Sequence, residues 1–275
     1  GVLARFPAGE EPGAVMALVS VAGAQVEYDQ RGAGPHLLLI HSLLTELTVF
    51  DRVLPALATA RRVARINLPG FGASSPVALQ TVAEHAGHVA RVMDALELPR
   101  DTAVFGNGFG AFVALELAIR HGERLGALIV ADTLAAFPEP ARAPFRAMAE
   151  RVRAGGMAAV LETAIGRMFP PAFAARHPEV IAERKSALAA VDPQCFARAC
   201  LALAALDLTR AAPKIANRTL VLCGALDQTT PPALARELAS LIPGARYEDI
   251  PDAGHCPMLE QPAALTDKVQ RFLAQ

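Results

Sequence analysis

The chain has 275 residues, 53% of them hydrophobic, and a formal net charge of −1. That length fits one large α/β domain or two small ones, and the near-neutral balance excludes the electrostatic footprint of nucleic-acid or anionic-membrane binding. No apolar run approaches the ~20 residues of a membrane span. Cys195, Cys200, Cys223 and Cys256 form no C-x-x-C pair, so they read as reduced thiols of a cytoplasmic protein.

The first stretch, GVLARFPAGEEPGAVMALVS, lacks the charged n-region and clean apolar h-region of a signal peptide. Residues 1–15 are expected to be an extension ahead of a natural start at Met16, or a remnant of cloning. From Ala17, two alternating segments around Gly23 predict a half-buried β-hairpin. His36 to Ile40 is a continuous apolar run, the pattern of a strand buried on both faces. Residues 48–60 carry a helical stripe of Val49, Val53 and Leu57, blemished by Pro55. A strand from Arg61 follows, running into Pro69-Gly70-Phe71-Gly72. Val82, Ala86, Val89, Met93 and Leu96 then recur with a 3.6-residue period. His85 and His88 lie on that helix, but with no third ligand nearby they make no metal site.

Thr102 to His121, TAVFGNGFGAFVALELAIRH, is the stretch on which the chain turns. An apolar strand ends in Gly106-Asn107-Gly108-Phe109-Gly110 and a helical pattern starts at once. Strand, tight glycine turn and helix are the setting of the nucleophile elbow, G-x-S-x-G. Here Gly108 stands where the serine would be. Leu125 to Ala131 is another buried strand, ending at Asp132. Strand patterns vanish from 134 to 212, where prolines punctuate short helical segments. Alternation resumes with a strand at Arg218 to Gly224, a helix at Pro232 to Leu241, a strand ARYEDI, a loop DAGHCPMLE and a closing helix from Pro262 to Leu273. Strands alternating with helices predict a mostly parallel sheet wound by helices on both faces. The expected layout is a core of 16–133 and 213–275 with a helical cap at 134–212.

From about Met16 onward the chain resembles the α/β-hydrolase superfamily, and is most similar to small hydrolases of the 3-oxoadipate enol-lactonase and carbon–carbon bond hydrolase kinds. Four segments carry the resemblance in the family's order. These are His41-Ser42-Leu43, like the oxyanion loop; NLPGFGASS, with Asn67 where Asp is common; GNGFG, the elbow; and GALDQTTPP with DAGHCPMLEQP. The resemblance implies a His–Asp pair of His255 and Asp227, with Asp132 as a rival acid at the end of an earlier strand. It implies oxyanion donors in the backbone N–H groups of Leu43 and Phe109. Ser42, where glycine is usual, and Asn107 are candidate substrate contacts.

Gly108 admits three readings. It relieves a strained turn in a protein that no longer transfers acyl groups; it is an introduced Ser→Gly replacement; or the chemistry proceeds without a covalent intermediate, His255 activating water or acting directly as base. In a serine-protease triad, losing the serine lowers kcat by about 10⁶, so the third reading asks for easy chemistry. The expectation is an enzyme acting on a small carbonyl compound: an ester, a lactone or a C–C bond of a cyclic catabolite. The alternatives are a cofactor-free lyase or dioxygenase using His255 as base, and a ligand-binding protein on a retired hydrolase frame. No cofactor is expected, since the glycine turn lacks the G-x-G-x-x-G spacing and a phosphate-binding lysine. The expected partner is a small-molecule substrate, with no nucleic acid and no membrane; homo-oligomerisation is left open.

Overall fold

A computed structural model describes residues 16–275; the expected extension 1–15 lies outside the described residues. Strands β1 (Ala17–Val21) and β2 (Ala24–Arg31) form the hairpin. Its two-residue turn, Ala22-Gly23, has φ of 50° and 84°, the positive pair that matches strand twist in a tight hairpin. After β3 (His36–Ile40) comes a 3₁₀ turn, Leu47–Phe50, and a short helix α1 (Leu54–Ala58). The single helix expected over 48–60 is therefore two pieces. Pro55 falls in the first turn of α1, where its missing N–H leaves no bond unmade.

Next come β4 (Arg62–Ile66) and α2 (Val82–Ala95). Thr81 and Glu84 start α2 as a reciprocal capping box. β5 (Ala103–Asn107), α3 (Phe109–His121) and β6 (Ala127–Ala131) follow. Five α-helices then intervene before the sheet resumes: α4 (Glu139–Gly155), α5 (Leu161–Met168), α6 (Pro171–Arg176), α7 (Pro178–Ala189) and α8 (Pro193–Ala205). The chain closes with β7 (Arg218–Gly224), α9 (Pro232–Leu241), β8 (Arg246–Ile250), α10 (Pro257–Glu260) and α11 (Pro262–Leu273). The short α10 lies in the stretch expected to be loop.

One eight-stranded sheet has the order β1-β2-β4-β3-β5-β6-β7-β8. Pairing is parallel from β4 across to β8, and antiparallel where β2 meets β1 and β4. Leu37, Leu38, Leu39 and Ile40 of β3 are all within 1% of full burial, and β5 and β6 are buried along their whole lengths. Continuous apolar runs are the sequence consequence of helices on both faces. No single helix among the described residues is long and apolar enough to cross a membrane.

The α4–α8 insertion is tied to the core at defined points. α4 packs along α8, and Phe145 of α4 meets Phe137, which meets Phe112 of α3, at ring separations of 4.8 and 5.6 Å. Arg184 of α7, only 2% exposed, bonds Glu46 at 3.0 Å and Thr48 at 2.8 Å in the turn after β3. Removing one partner of such a buried pair leaves the other charge unpaired.

Candidate active site

Only Gly108 separates the end of β5 from the start of α3. Its φ of 52° with ψ of −117° is a conformation that residues bearing a side chain adopt rarely and under strain. Gly106 and Gly110 are tight for a different reason. A Cβ on Gly106 would run into the Gly110 carbonyl, and one on Gly110 into the carbonyls of Ile40 and His41. Strand, turn and helix thus interlock against the end of β3.

That end is clamped by His41. Its Nδ1–H donates to the Ser42 carbonyl at 2.7 Å, and its Nε2 accepts the Leu68 N–H at 3.0 Å. Accepting at one nitrogen and donating at the other requires the neutral ring, and burial holds its pKa down to about 4. The Ser42 carbonyl also accepts from the N–H and hydroxyl of Thr45, both at 3.3 Å. In a trans peptide the C=O and the next N–H point oppositely. The clamp on the Ser42 carbonyl therefore turns the Leu43 N–H away from His41 and Thr45, and no group among the described residues accepts from it. The Phe109 N–H, freed at the first turn of α3, has only the Ser42 hydroxyl among the described residues, at 3.4 Å.

Asn67 also acquires a reason. Its Nδ2–H₂ donates to Glu27 at 2.7 Å and its Oδ1 accepts the Leu47 N–H at 2.8 Å. An aspartate here would set its carboxylate against that of Glu27.

The structure brings His255 and Asp227 together from the segments after β8 and β7. The His255 Nδ1–H donates to Asp227 Oδ2 at 2.8 Å, which leaves Nε2 as the basic nitrogen, facing Gly108. Asp227 also accepts from the Thr230 hydroxyl at 2.6 Å and from the N–H groups of Thr229 and Thr230 at 2.8 and 3.2 Å. Burial alone would raise the Asp227 pKa; the His255 charge and these donors outweigh it and hold the carboxyl below its ordinary value. Burial alone would lower that of His255; the Asp227 charge and hydrogen bond outweigh it and hold the imidazole above its ordinary value. Asp227 is therefore an anion that stabilises an imidazolium, the electrostatic requirement of a general base relay.

Asp132, the rival acid, makes no bond to His255. Its Oδ1 accepts the Gly224 N–H and its Oδ2 the Asn107 Nδ2–H₂, both at 2.8 Å. Burial, then the Asp227 charge, pushes its pKa well above the carboxylate range. Asn107, expected at the substrate, is instead fully buried. Its amide ties Asp132 to the His255 carbonyl, the latter at 3.3 Å, so it braces the histidine loop from behind. The position between two glycines needed a small polar group to close a network inside the sheet, not one aimed outward.

Two contributors are not singled out in the sequence. Glu260, 9% exposed, accepts the N–H groups of Gly254 and Cys256 at 2.7 and 3.0 Å, pinning the residues on either side of His255. Arg167 of α5 lines the cavity with Ser42, Leu43, Gly108, Phe109 and His255. Its guanidinium stacks 5.3 Å from the Phe145 ring and has no carboxylate partner among the described residues. Phe112, Phe137, Phe145, Met148 and Leu203 complete an apolar wall. An arginine kept among these is placed to meet a polar or anionic part of a ligand.

Oxygens of Asp132 and Asp227 and the thiol of Cys223 come within 4.8 Å of one another. The carboxylates already accept the bonds given above and burial pushes the Cys223 thiol up, so this cluster is not built as a metal cage. The His85 Nδ1–H donates to the Thr81 carbonyl at 2.9 Å, and its ring stands edge-on to Phe109 at 5.0 Å, a packing role.

An eight-stranded, mostly parallel sheet with a glycine elbow after β5 and a His–Asp pair after β8 and β7 is the α/β-hydrolase fold. The family described as alpha/beta hydrolase fold matches residues 35–262, and the chain belongs to it. It is 32% identical over 271 residues to a polyketide synthase, ThaQ, of Burkholderia thailandensis, spanning 96% of this chain but 13% of that protein. It is 31% identical to 3-oxoadipate enol-lactonase 2 of Acinetobacter baylyi, over 87% of this chain and 88% of the enzyme. Among solved structures, the enol-lactonase of Burkholderia xenovorans LB400 superposes with a TM-score of 0.88 at 30% identity, covering 94% of this chain and all of that one.

Proposed function

We propose that the chain hydrolyses a small ester or lactone, with His255 as general base and Asp227 as its orienting anion. One observation carries the reading: the imidazole is oriented by a 2.8 Å bond to Asp227 while Nε2 faces the elbow. Beside it stand the N–H groups of Leu43 and Phe109, held where a carbonyl oxygen gaining charge would need them. The apolar wall takes the carbon skeleton. Arg167 takes a polar or anionic substituent. The likeness to a lactonase over most of both chains supports the lactone or ester class.

The likeness to a segment of a polyketide synthase favours a second substrate form, an acyl thioester presented within a larger assembly. The two forms separate by rate. The test compares p-nitrophenyl butyrate, a δ-lactone and the butyryl thioester of N-acetylcysteamine, for the chain and for His255→Ala. Turnover that His255→Ala abolishes is expected. No turnover of any of the three above buffer would overturn the reading.

A further inference from the structure

The space above Gly108 is not empty of chemistry. A Cβ built on Gly108 would overlap the Ser42 hydroxyl, lie 2.9 Å from Ser42 Cβ, and stand 3.0 Å from His255 Nε2. A hydroxyl from the neighbouring loop thus stands in the volume that an elbow side chain would begin to fill. The side chain that holds it is 2% exposed, and its backbone is fixed through His41 and Thr45. The hydroxyl proton has no acceptor among the described residues, and Nε2 has no donor there. A donor without an acceptor and a base without a donor face the same methylene-sized volume.

We propose that Ser42 is the catalytic nucleophile of this chain, replacing the elbow residue. The proposal rests on the hydrolytic reading above. In the first step His255 Nε2 takes the Ser42 hydroxyl proton, and Oγ bonds to the substrate carbonyl carbon. The carbonyl π pair moves onto oxygen, where the N–H groups of Leu43 and Phe109 receive it. The oxyanion then collapses, the bond to the leaving alkoxide breaks, and His255 returns its proton to that oxygen. In the second step His255 deprotonates a water that attacks the acyl carbon; the bond to Ser42 Oγ breaks and the proton returns to it. Ester and water become acid and alcohol, with nothing else consumed. Moving the nucleophile to position 42 keeps a donor on the residue that follows it, now Leu43, alongside Phe109. That is the backbone arrangement acyl transfer requires.

A fluorophosphonate labels an activated hydroxyl whether or not the natural substrate is known, so it separates the two readings. Expected is one adduct, mapped by peptide mass to Ser42, absent in Ser42→Ala and slowed at least 100-fold in His255→Ala. In the double variant Ser42→Gly/Gly108→Ser the adduct should move to residue 108. Ester turnover with no label on Ser42, or Ser42→Ala turning over within threefold of the parent, overturns the proposal and leaves the hydrolytic reading standing. Label on Ser42 with no turnover of ester, lactone or thioester overturns the hydrolytic reading and with it the catalytic role, leaving only an activated hydroxyl. Neither label nor turnover overturns both. The labelling of the unaltered chain does not depend on any variant folding.

Discussion

The two ends of the cavity were assembled under different rules. At the His255 end the positioning bonds are dense: Asp227 has four donors, the flanking N–H groups meet Glu260, and Asn107 braces the loop from behind. At the Gly108 end the groups are left unspent among the described residues: an N–H on Leu43 without an acceptor, a long bond on Phe109, and a hydroxyl proton with no acceptor. Dense hydrogen bonding fixes a proton relay in one geometry. Unsaturated bonding is what a reacting carbonyl must find waiting. The difference marks one end as machinery and the other as the place where substrate atoms sit.

The sharpest break between the ends comes from removing the base. His255→Ala should lower kcat/KM on the best ester substrate by about 10⁴-fold or more, as loss of a triad histidine does. The two carboxylates should then part company. Asp227→Asn should lower kcat by about 10³–10⁴-fold through loss of the orienting anion, while Asp132→Asn, whose carboxyl touches no catalytic nitrogen, should stay within tenfold. A steady-state comparison that found the two equal would erase the distinction between relay and brace.

Restoring the elbow probes the other end. Gly108→Ser alone should cost about 1–3 kcal/mol of stability by overpacking against Ser42. Adding Ser42→Gly should recover part of the melting temperature, a non-additivity expected of two side chains competing for one volume. Arg167→Met should raise KM about tenfold for a substrate bearing a carboxylate and leave kcat for a neutral ester nearly unchanged.

The smallest effect is in pH. Catalysis needs the neutral imidazole, so kcat/KM should climb with pH through a midpoint above 6.5, the raised value that Asp227 imposes. The stability contributed by that same raised pKa has the opposite sign. It is complete below the unfolded value and fades as pH rises through the folded one. The Asp227 contribution, from a lowered pKa, is present above the unfolded value and is lost as pH falls through the folded one. Melting curves of the chain and of His255→Ala across pH 2 to 9 check both signs.

Much of this was legible in the sequence because it rests on local pattern. Alternating and continuous apolar runs announce the strands, and Gly106-x-Gly108-x-Gly110 announces the elbow because interlocking backbones tolerate nothing larger. The resemblance pairs His255 with Asp227 and leaves Asp132 as a rival; only the folded sheet sets Asp132 apart from the imidazole. The helix expected over 48–60 broke because Pro55 reads as an interior blemish until the chain is seen to start a new helix there. Ser42 was readable as a departure from glycine on the oxyanion side; that its hydroxyl reaches the volume over residue 108 is a contact between two separate strand ends, which spacing does not reveal. Arg167 was hidden for the same reason.

The overlap between a side chain at 108 and the hydroxyl at 42 also sets a rule of descent. A side chain at 108 displaces the one at 42, so neither replacement is neutral in the presence of the other. A path between the two arrangements that avoids the clash runs through glycine at both places, with an open volume between an oriented base and two waiting amides. Ser42→Gly, with Gly108 left as it stands, rebuilds that intermediate, and its residual rate on a strained lactone measures how shallow such a crossing is.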